Sequence, residues 1–304
     1  MNIFVLANPQ AGMGRAIEAL GDVIKAVRAL KAKTRIKILE KSEKISDVIQ
    51  YADESFDYLI AIGGDGTIKS VVDGILKSKN KITLVTYLGG SGGEVARYAG
   101  ILSYTSLKNA LLEENITRVD VFRARIRFTD NRVEEHNFVA NLQIGHFAHG
   151  ICLTPQIAKK IFGGTGYMLG VLKALVARRN VPAKVIGDNN HIYSGLVYTI
   201  HFGNVATTRG GVPVAPLADP TDGKIDMMLA RGINQLEALH ALPMVLRGEH
   251  LKHPAVIYKQ LRNVTVISKG DHIAVDGEYL GSFTHLKILY SGKIALLCSR
   301  SSSR

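Results

Sequence analysis

The stretch Gly63-Gly64-Asp65-Gly66-Thr67 constrains this chain more than any other. The apolar run Tyr58–Ile62 precedes it, and Ile68, Val71, Val72, Ile75 and Leu76 follow at helical spacing. That order predicts a strand, a tight glycine turn and a helix. Glycine lets a backbone approach a phosphate closely, and a helix N-terminus offers free N–H groups to an anion. Thr67 is placed to cap the helix. Asp65 is not needed for the turn. A carboxylate beside a phosphate calls for a cation between them, and Mg²⁺ is the expected one.

Two more turns have the same setting. Ile3–Ala7 reads as a strand and leads into Asn8-Pro9-Gln10-Ala11-Gly12-Met13-Gly14-Arg15. A helical face follows at Ile17, Leu20, Ile24 and Val27. Arg35–Leu39 alternates as a strand. Ile82–Tyr87 leads into Leu88-Gly89-Gly90-Ser91-Gly92-Gly93-Glu94, where Ser91 offers a hydroxyl. Each turn alone is also compatible with an ordinary strand-to-helix connection. Together the rhythm predicts an α/β domain with a parallel sheet, whose ligands bind beyond the carboxyl ends of the strands.

From about Val119 the pattern changes. Val119–Phe128, Asn137–Ile144, His191–Phe202, Lys224–Ala230, Leu261–Ile267 and Asp271–Val275 read as successive strands. A second, mostly antiparallel domain is expected. Helical patterns interrupt it at about Thr154–Arg179 and Gln235–Arg247, with a kink expected at Pro243.

Composition removes several classes. With 304 residues and 46% hydrophobic side chains, two domains with real cores are affordable and general disorder is excluded. No apolar run is long enough to cross a bilayer, and Met1–Ala7 lacks a basic leader, so a soluble cytoplasmic protein is expected. The net charge of +12 is dispersed, and there is no Trp, so nucleic acid is not an expected partner. Cys152 and Cys298 read as free core thiols. Walker-type, dinucleotide-type, His-Glu-x-x-His and Gly-x-Ser-x-Gly motifs are absent. His146 and His149 lie three apart with no third ligand nearby, which suits loop or core histidines.

Asn-Pro-x-x-Gly, Gly-Gly-Asp-Gly-Thr and a third glycine loop, in this order, resemble the diacylglycerol kinase catalytic-domain family. Gly-Gly-Asp-Gly-Thr also occurs in NAD kinases. The later segments Asp222-Gly223-Lys224-Ile225-Asp226, Arg247-Gly248-Glu249-His250 and Asp276-Gly277-Glu278 resemble the soluble bacterial diacylglycerol kinases.

The resemblance implies an α/β ATP-binding domain over residues 1–120, to which 286–304 return, and a β-sandwich-like acceptor domain over 121–285. ATP is expected in the cleft between them. Asn8, Pro9, Gln10, Ala11, Gly12, Ser42, Gly64, Asp65, Gly66, Thr67 and Ser91 are expected at ATP. Asp65 and Asp120 are expected in the Mg²⁺ network. Asp222, with carbonyls around Asp219 and Lys224, is expected at a second, structural Mg²⁺. The resemblance makes Glu278 the candidate general base, with Asp276 the neighbouring alternative. Read without it, Asp276-Gly277 is a hairpin turn. The implied activity is transfer of the γ-phosphate of ATP to a lipid hydroxyl, diacylglycerol giving phosphatidic acid. The implied partner is a lipid substrate at an anionic inner-membrane surface, and a homodimer is the assembly expected from the bacterial relatives.

The third loop departs from the family's Gly-Thr-x-Asn-Asp at Gly93 and Glu94, and Lys69 and Ser70 replace a family Asn-Glu. Two rivals therefore stand beside the lipid kinase: a small-molecule kinase of the NAD type, and a nucleotide-binding regulator with weak activity. Lys159–Arg179 mixes basic and apolar residues, which suits either an interfacial helix or a core helix with basic ends.

Overall fold

The computed structural model describes residues 1–11, 15–40, 43–50, 55–78, 81–89, 93–154, 170, 173–175, 177 and 180–299. The chain divides into two compact units. One comprises Met1–Val119 with Lys293–Arg304, the other Asp120–Gly292.

In the first unit, β1 (Asn2–Ala7), α1 (Arg15–Ala29), β2 (Lys33–Ile38), α2 (Ile45–Gln50), β3 (Tyr58–Gly63), α3 (Asp65–Lys77), β4 (Thr83–Leu88), α4 (Glu94–Ala99) and α5 (Tyr104–Glu113) follow in order. β1 pairs in parallel with β2 and β3, and β3 pairs in parallel with β4. β3 is buried along its whole length, as expected of a strand flanked on both sides. Ala16, Ala19, Leu20, Val23, Ala26 and Val27 form the inward face of α1. This face is rotated from the one expected from sequence, and Ile17 is exposed. Small alanines let the helix approach the sheet, so the larger Ile17 is not needed inside.

β5 (Ile116–Phe128) carries the chain into the second unit. There β6 (Val133–Phe138), β7 (Asn141–Gly145), α6 (His146–Leu153), β8 (Val181–Gly187), β9 (Asn190–Gly203), β10 (Ile225–Arg231), α7 (Gln235–Arg247), β11 (Val256–Leu261), β12 (Val264–Val275) and β13 (Glu278–Leu297) follow. The pairs β5–β6, β7–β9, β8–β9, β9–β10, β10–β11, β7–β12, β8–β12 and β12–β13 are antiparallel. The α/β class expected from sequence holds, with most strand pairs antiparallel. One buried cluster, including Phe122, Phe138, Phe202, Met227 and Phe283, forms the core of this unit.

Several expectations are corrected. Asn137–Ile144 is not one strand but the end of β6 and most of β7, because the chain bends at Val139-Ala140. Leu261–Ile267 and Asp271–Val275 fall largely in one strand, β12, with an irregular register between Ile267 and Asp271. α7 contains Pro243, the position where a kink was expected. The stretch Thr154–Arg179 lies almost wholly outside the described residues. Cys152 is exposed and is not a core thiol, whereas Cys298 is buried.

His201 on β9 is fully buried, and its ring lies edge-on to Phe147 at 6.3 Å. Burial, and next the nearby His250, push its pKa down to about 3. The neutral ring is folded in, while the unfolded ring protonates near pH 6.5. The unfolded state thus binds more protons between pH 6.5 and 3, and stability falls as pH falls through that window. His201→Leu is expected to remove up to about 1.4 kcal/mol per pH unit of that slope. Urea melts of both proteins between pH 7 and 4 measure it.

Candidate active site

In the first unit the glycine turns lie at strand ends. Gly64 is the N-cap of α3 and makes no side-chain cap bond. Thr67 is therefore not the cap, contrary to expectation. It stands in the first turn, and its hydroxyl accepts from Asn8 Nδ2 at 3.0 Å. Asn8 Oδ1 in turn accepts from the N–H of Gln10 at 3.1 Å, and the N–H of Ala11 donates to the Asn8 carbonyl. The turn at Asn8, Pro9, Gln10 and Ala11 is thus tied to the turn at Gly64, Asp65, Gly66 and Thr67. A Cβ at Gly63 would collide with Thr67, whereas Gly64 and Gly66 face open space. The glycine at 63 serves packing. Those at 64 and 66 leave the backbone bare, which suits an approaching phosphate.

Asp65 joins the third loop to this pair. Its Oδ1 accepts from the N–H of Gly93 at 2.7 Å and of Glu94 at 3.3 Å. Gly93 has φ +94° and caps α4. A side chain there would meet both the left-handed backbone and Leu88. The loss of the family's amide at this position is therefore tied to the backbone path of this loop. Glu94 is buried. Gly12, Ser42 and Ser91 lie outside the described residues.

The second unit gathers the remaining acids around one asparagine. Asp120 is fully buried. Its N–H donates to Pro220 O at 2.7 Å, and its Oδ2 accepts from the N–H of Gly223 at 2.7 Å. Asp219 Oδ1 accepts from the N–H and hydroxyl of Thr221. Asp222 Oδ1 accepts from the N–H of Lys224, whose Nζ lies 3.8 Å from Asp222 Oδ2. So Asp120 and the 219–224 loop come together. Asn204 Nδ2 then donates to the carbonyls of Asp120 at 2.9 Å and Val139 at 2.6 Å. Asn204 went unnoticed in the sequence. Its position just past a strand, after Gly203, is the only local signal it carries.

Among the described residues no three His, Cys, Asp or Glu side chains are grouped as a metal cage. The 219–224 carboxylates turn onto their own loop, so they do not fit an ion held by side chains alone. Asp226, at the end of the same motif, is buried. It accepts from Tyr258 OH at 2.5 Å and Gln260 Nε2 at 3.2 Å, and burial raises its pKa.

Asp276 and Glu278 behave differently. Asp276 and Gly277 both have positive φ and form the two-residue turn between β12 and β13. The Asp276 carboxylate is buried and accepts from the N–H groups of Val139, Ala140 and Asn141 at 2.9–3.2 Å. Glu278, the first residue of β13, is exposed. Asp276 thus braces the turn that carries Glu278. Behind it His272 stacks on His149 at 4.3 Å and shares a 2.8 Å hydrogen bond with Tyr279 OH.

A pocket of about 640 Å³, its open mouth included, lies between α6, β9, β10, β11 and α7. Its walls are almost wholly apolar, with Phe147, Met228, Leu242 and Val245 prominent. The polar lining is His146, Tyr198, Thr199, His250 and His253. His146 Nδ1 and Tyr198 OH share a 2.9 Å hydrogen bond, and His250 Nε2 donates to Val214 O at 3.0 Å. Burial lowers the His250 pKa, so the pocket is walled by a neutral imidazole there. Of the polar lining, His146, His250 and His253, the last within Lys252-His253-Pro254, were picked out from sequence.

Residues 2–124 match the model of the diacylglycerol kinase catalytic domain, and residues 152–298 match the YegS C-terminal NAD kinase beta sandwich-like domain. Residues 2–124 thus carry the diacylglycerol kinase catalytic domain. A diacylglycerol kinase of Staphylococcus saprophyticus is 26% identical over 290 residues, which cover 93% of this chain and 92% of the relative. One from Staphylococcus aureus is 28% identical over 246 residues, covering 79% and 75%. The crystal structure of a diacylglycerol kinase from Bacillus anthracis aligns with a TM-score of 0.72 at 16% identity, over 99% of this chain and 98% of that one. An NAD kinase from Archaeoglobus fulgidus in complex with ATP aligns at 0.51 and 12%, over 99% and 95%. That kinase domain supports a phosphotransferase, with ATP the donor that a kinase implies. No helix among the described residues is long and apolar enough to cross a membrane.

Asp276→Ala leaves three buried N–H groups without their acceptor and is expected to cost about 2–4 kcal/mol. Urea unfolding followed by circular dichroism measures it. Gly93→Ala is expected to cost about 1–2 kcal/mol for the positive φ alone, and more if Leu88 does not yield.

Proposed function

We propose that the protein transfers the γ-phosphate of ATP to the hydroxyl of a membrane lipid, with diacylglycerol the best-fitting acceptor. The observation that carries this reading is the apolar pocket of the second unit. Its apolar walls and few polar groups suit a ligand that is mostly hydrocarbon. A dinucleotide acceptor would bring phosphates and ribose hydroxyls to walls that offer almost no matching groups, so the NAD-type rival has less support.

On this reading the tied turns at Asn8–Ala11 and Gly64–Thr67, with Gly12, Ser42 and Ser91, hold ATP through backbone N–H groups and small hydroxyls. Mg²⁺, when bound, would neutralise charge on the phosphates; Asp65 and Asp120 are its proposed side-chain partners, and Asp219, Asp222 and Lys224 would serve a second ion with help from carbonyls. Glu278 takes the proton of the acceptor hydroxyl as that oxygen bonds to the γ-phosphorus. The bond from phosphorus to the β,γ-bridging oxygen breaks, and ADP leaves. Asp276 is not the base in this scheme, because its oxygens are engaged by three backbone N–H groups. The protein then acts in the cytoplasm at the inner membrane surface, and a homodimer is part of the proposal.

Radiolabelled ATP with diacylglycerol in mixed micelles, run beside NAD, tests the reading. Label is expected in phosphatidic acid. Transfer to NAD alone would make the protein a small-molecule kinase. ATP binding with no transfer across a lipid panel would make it a regulator. Glu278→Gln is expected to lower kcat by about 10²–10⁴-fold with ATP affinity unchanged.

A further inference from the structure

α7 is a thirteen-residue helix with apolar residues on two sides. Ala238, Ala241, Leu242 and Val245 line the pocket. Leu236, Leu239, Pro243 and Leu246 are exposed, the three leucines by 69%, 46% and 46%. Their steps of three, four and three residues place them within one narrow stripe at 3.6 residues per turn. The pocket-lining set is centred about 130° away around the helix. Ala238 is the only fully buried residue of the helix. A helix packed on a core normally turns a polar face outward. Here the outward face carries an unbroken row of large apolar side chains, and the helix is a thin wall between that row and the pocket.

We infer that α7 is the element by which this protein docks on a lipid bilayer. The inference rests on the reading that the pocket takes a lipid acceptor. Such a ligand is insoluble in water and resides in the bilayer, so the wall of its pocket has to meet the bilayer for the ligand to enter. One helix with both faces apolar satisfies that requirement directly. The flanking polar groups fit an interfacial position. Glu237 closes the N-terminal capping box with Asn234, and Glu249 pairs with Arg247 at 2.9 Å, so two acids near the helix ends are engaged by the protein itself. Arg231, His240 and Lys252 are exposed around the helix. The net charge of +12 favours approach to an anionic surface. The stripe suits insertion to the depth of the headgroup and acyl boundary.

The absence of Trp from the chain provides a clean reporter. Leu239→Trp is mixed with vesicles of phosphatidylcholine and phosphatidylglycerol. The introduced indole is expected to shift to shorter wavelength and to be quenched by brominated acyl chains. In co-sedimentation, Leu236→Glu and Leu239→Glu together are expected to weaken vesicle binding by at least about tenfold, with an unchanged thermal melt. Transfer to a short-chain diacylglycerol dispersed as monomers should persist in that variant, while transfer to long-chain diacylglycerol in vesicles falls.

An indole that stays in water while the protein sediments with vesicles would overturn the inference and place docking elsewhere. A blue shift that grows with protein concentration without vesicles would also overturn it, and would make α7 a contact between copies. Absence of transfer by the wild type in every format would sink the lipid-kinase reading, and the fluorescence and sedimentation results would still decide the place of docking.

Discussion

The second unit depends on one buried hydrogen-bond web. Asn204 Nδ2 bridges the carbonyls of Asp120 and Val139. The N–H groups of Val139, Ala140 and Asn141 converge on Asp276. Asp120 in turn holds Gly223 and Pro220. Strand ends and loops from five parts of the chain are thereby tied together. Buried polar groups paired in this way favour one arrangement, because alternatives leave donors or acceptors stranded. This web sets where the turn of Asp276 and Gly277 lies, and so where Glu278 emerges.

That constraint separates two carboxylates that sequence reasoning left as alternatives. Two residues apart in sequence, they sit in opposite environments. Asp276 turns inward because a nest of three N–H groups attracts a negative oxygen. Glu278 begins a strand whose first residue faces water. The hairpin reading and the catalytic reading of Asp276-Gly277-Glu278 are therefore compatible. The aspartate makes the turn, and the glutamate is what the turn presents.

The first unit was legible because its signals are local. Each glycine turn follows an apolar run, two of them open a helical pattern, and the four strands fall close to expectation, whereas α2, α4 and α5 were not read. What failed there were details set by packing. The α1 face rotated toward alanines, and Thr67 bonded to Asn8 across 59 positions instead of capping its own helix. The second unit was legible only in class. β8, β11 and β13 were missed, and β13 runs for 20 residues through Gly281 and Gly292. Long antiparallel pairs draw their stability from partners far away in sequence, so their propensities are weak guides. Asn204 left no trace because a buried amide and an exposed one look alike in sequence.

α7 illustrates the same limit from the other side. Its composition, with Leu236, Leu239, Leu242, Val245 and Leu246, reads as a core helix. An apolar helix buried all round is the ordinary outcome. Tertiary structure instead puts Leu242 and Val245 at a pocket and Leu236, Leu239 and Leu246 on the surface. Exposure of large apolar side chains in one contiguous stripe is unfavourable in water and is uncommon without a use. Here a single 13-residue element serves two apolar environments at once. A polar outer face would make the helix a better water-facing surface and a worse passage for a hydrocarbon ligand. The apolar outer stripe and the apolar pocket are thus one requirement, expressed on the two sides of a single wall.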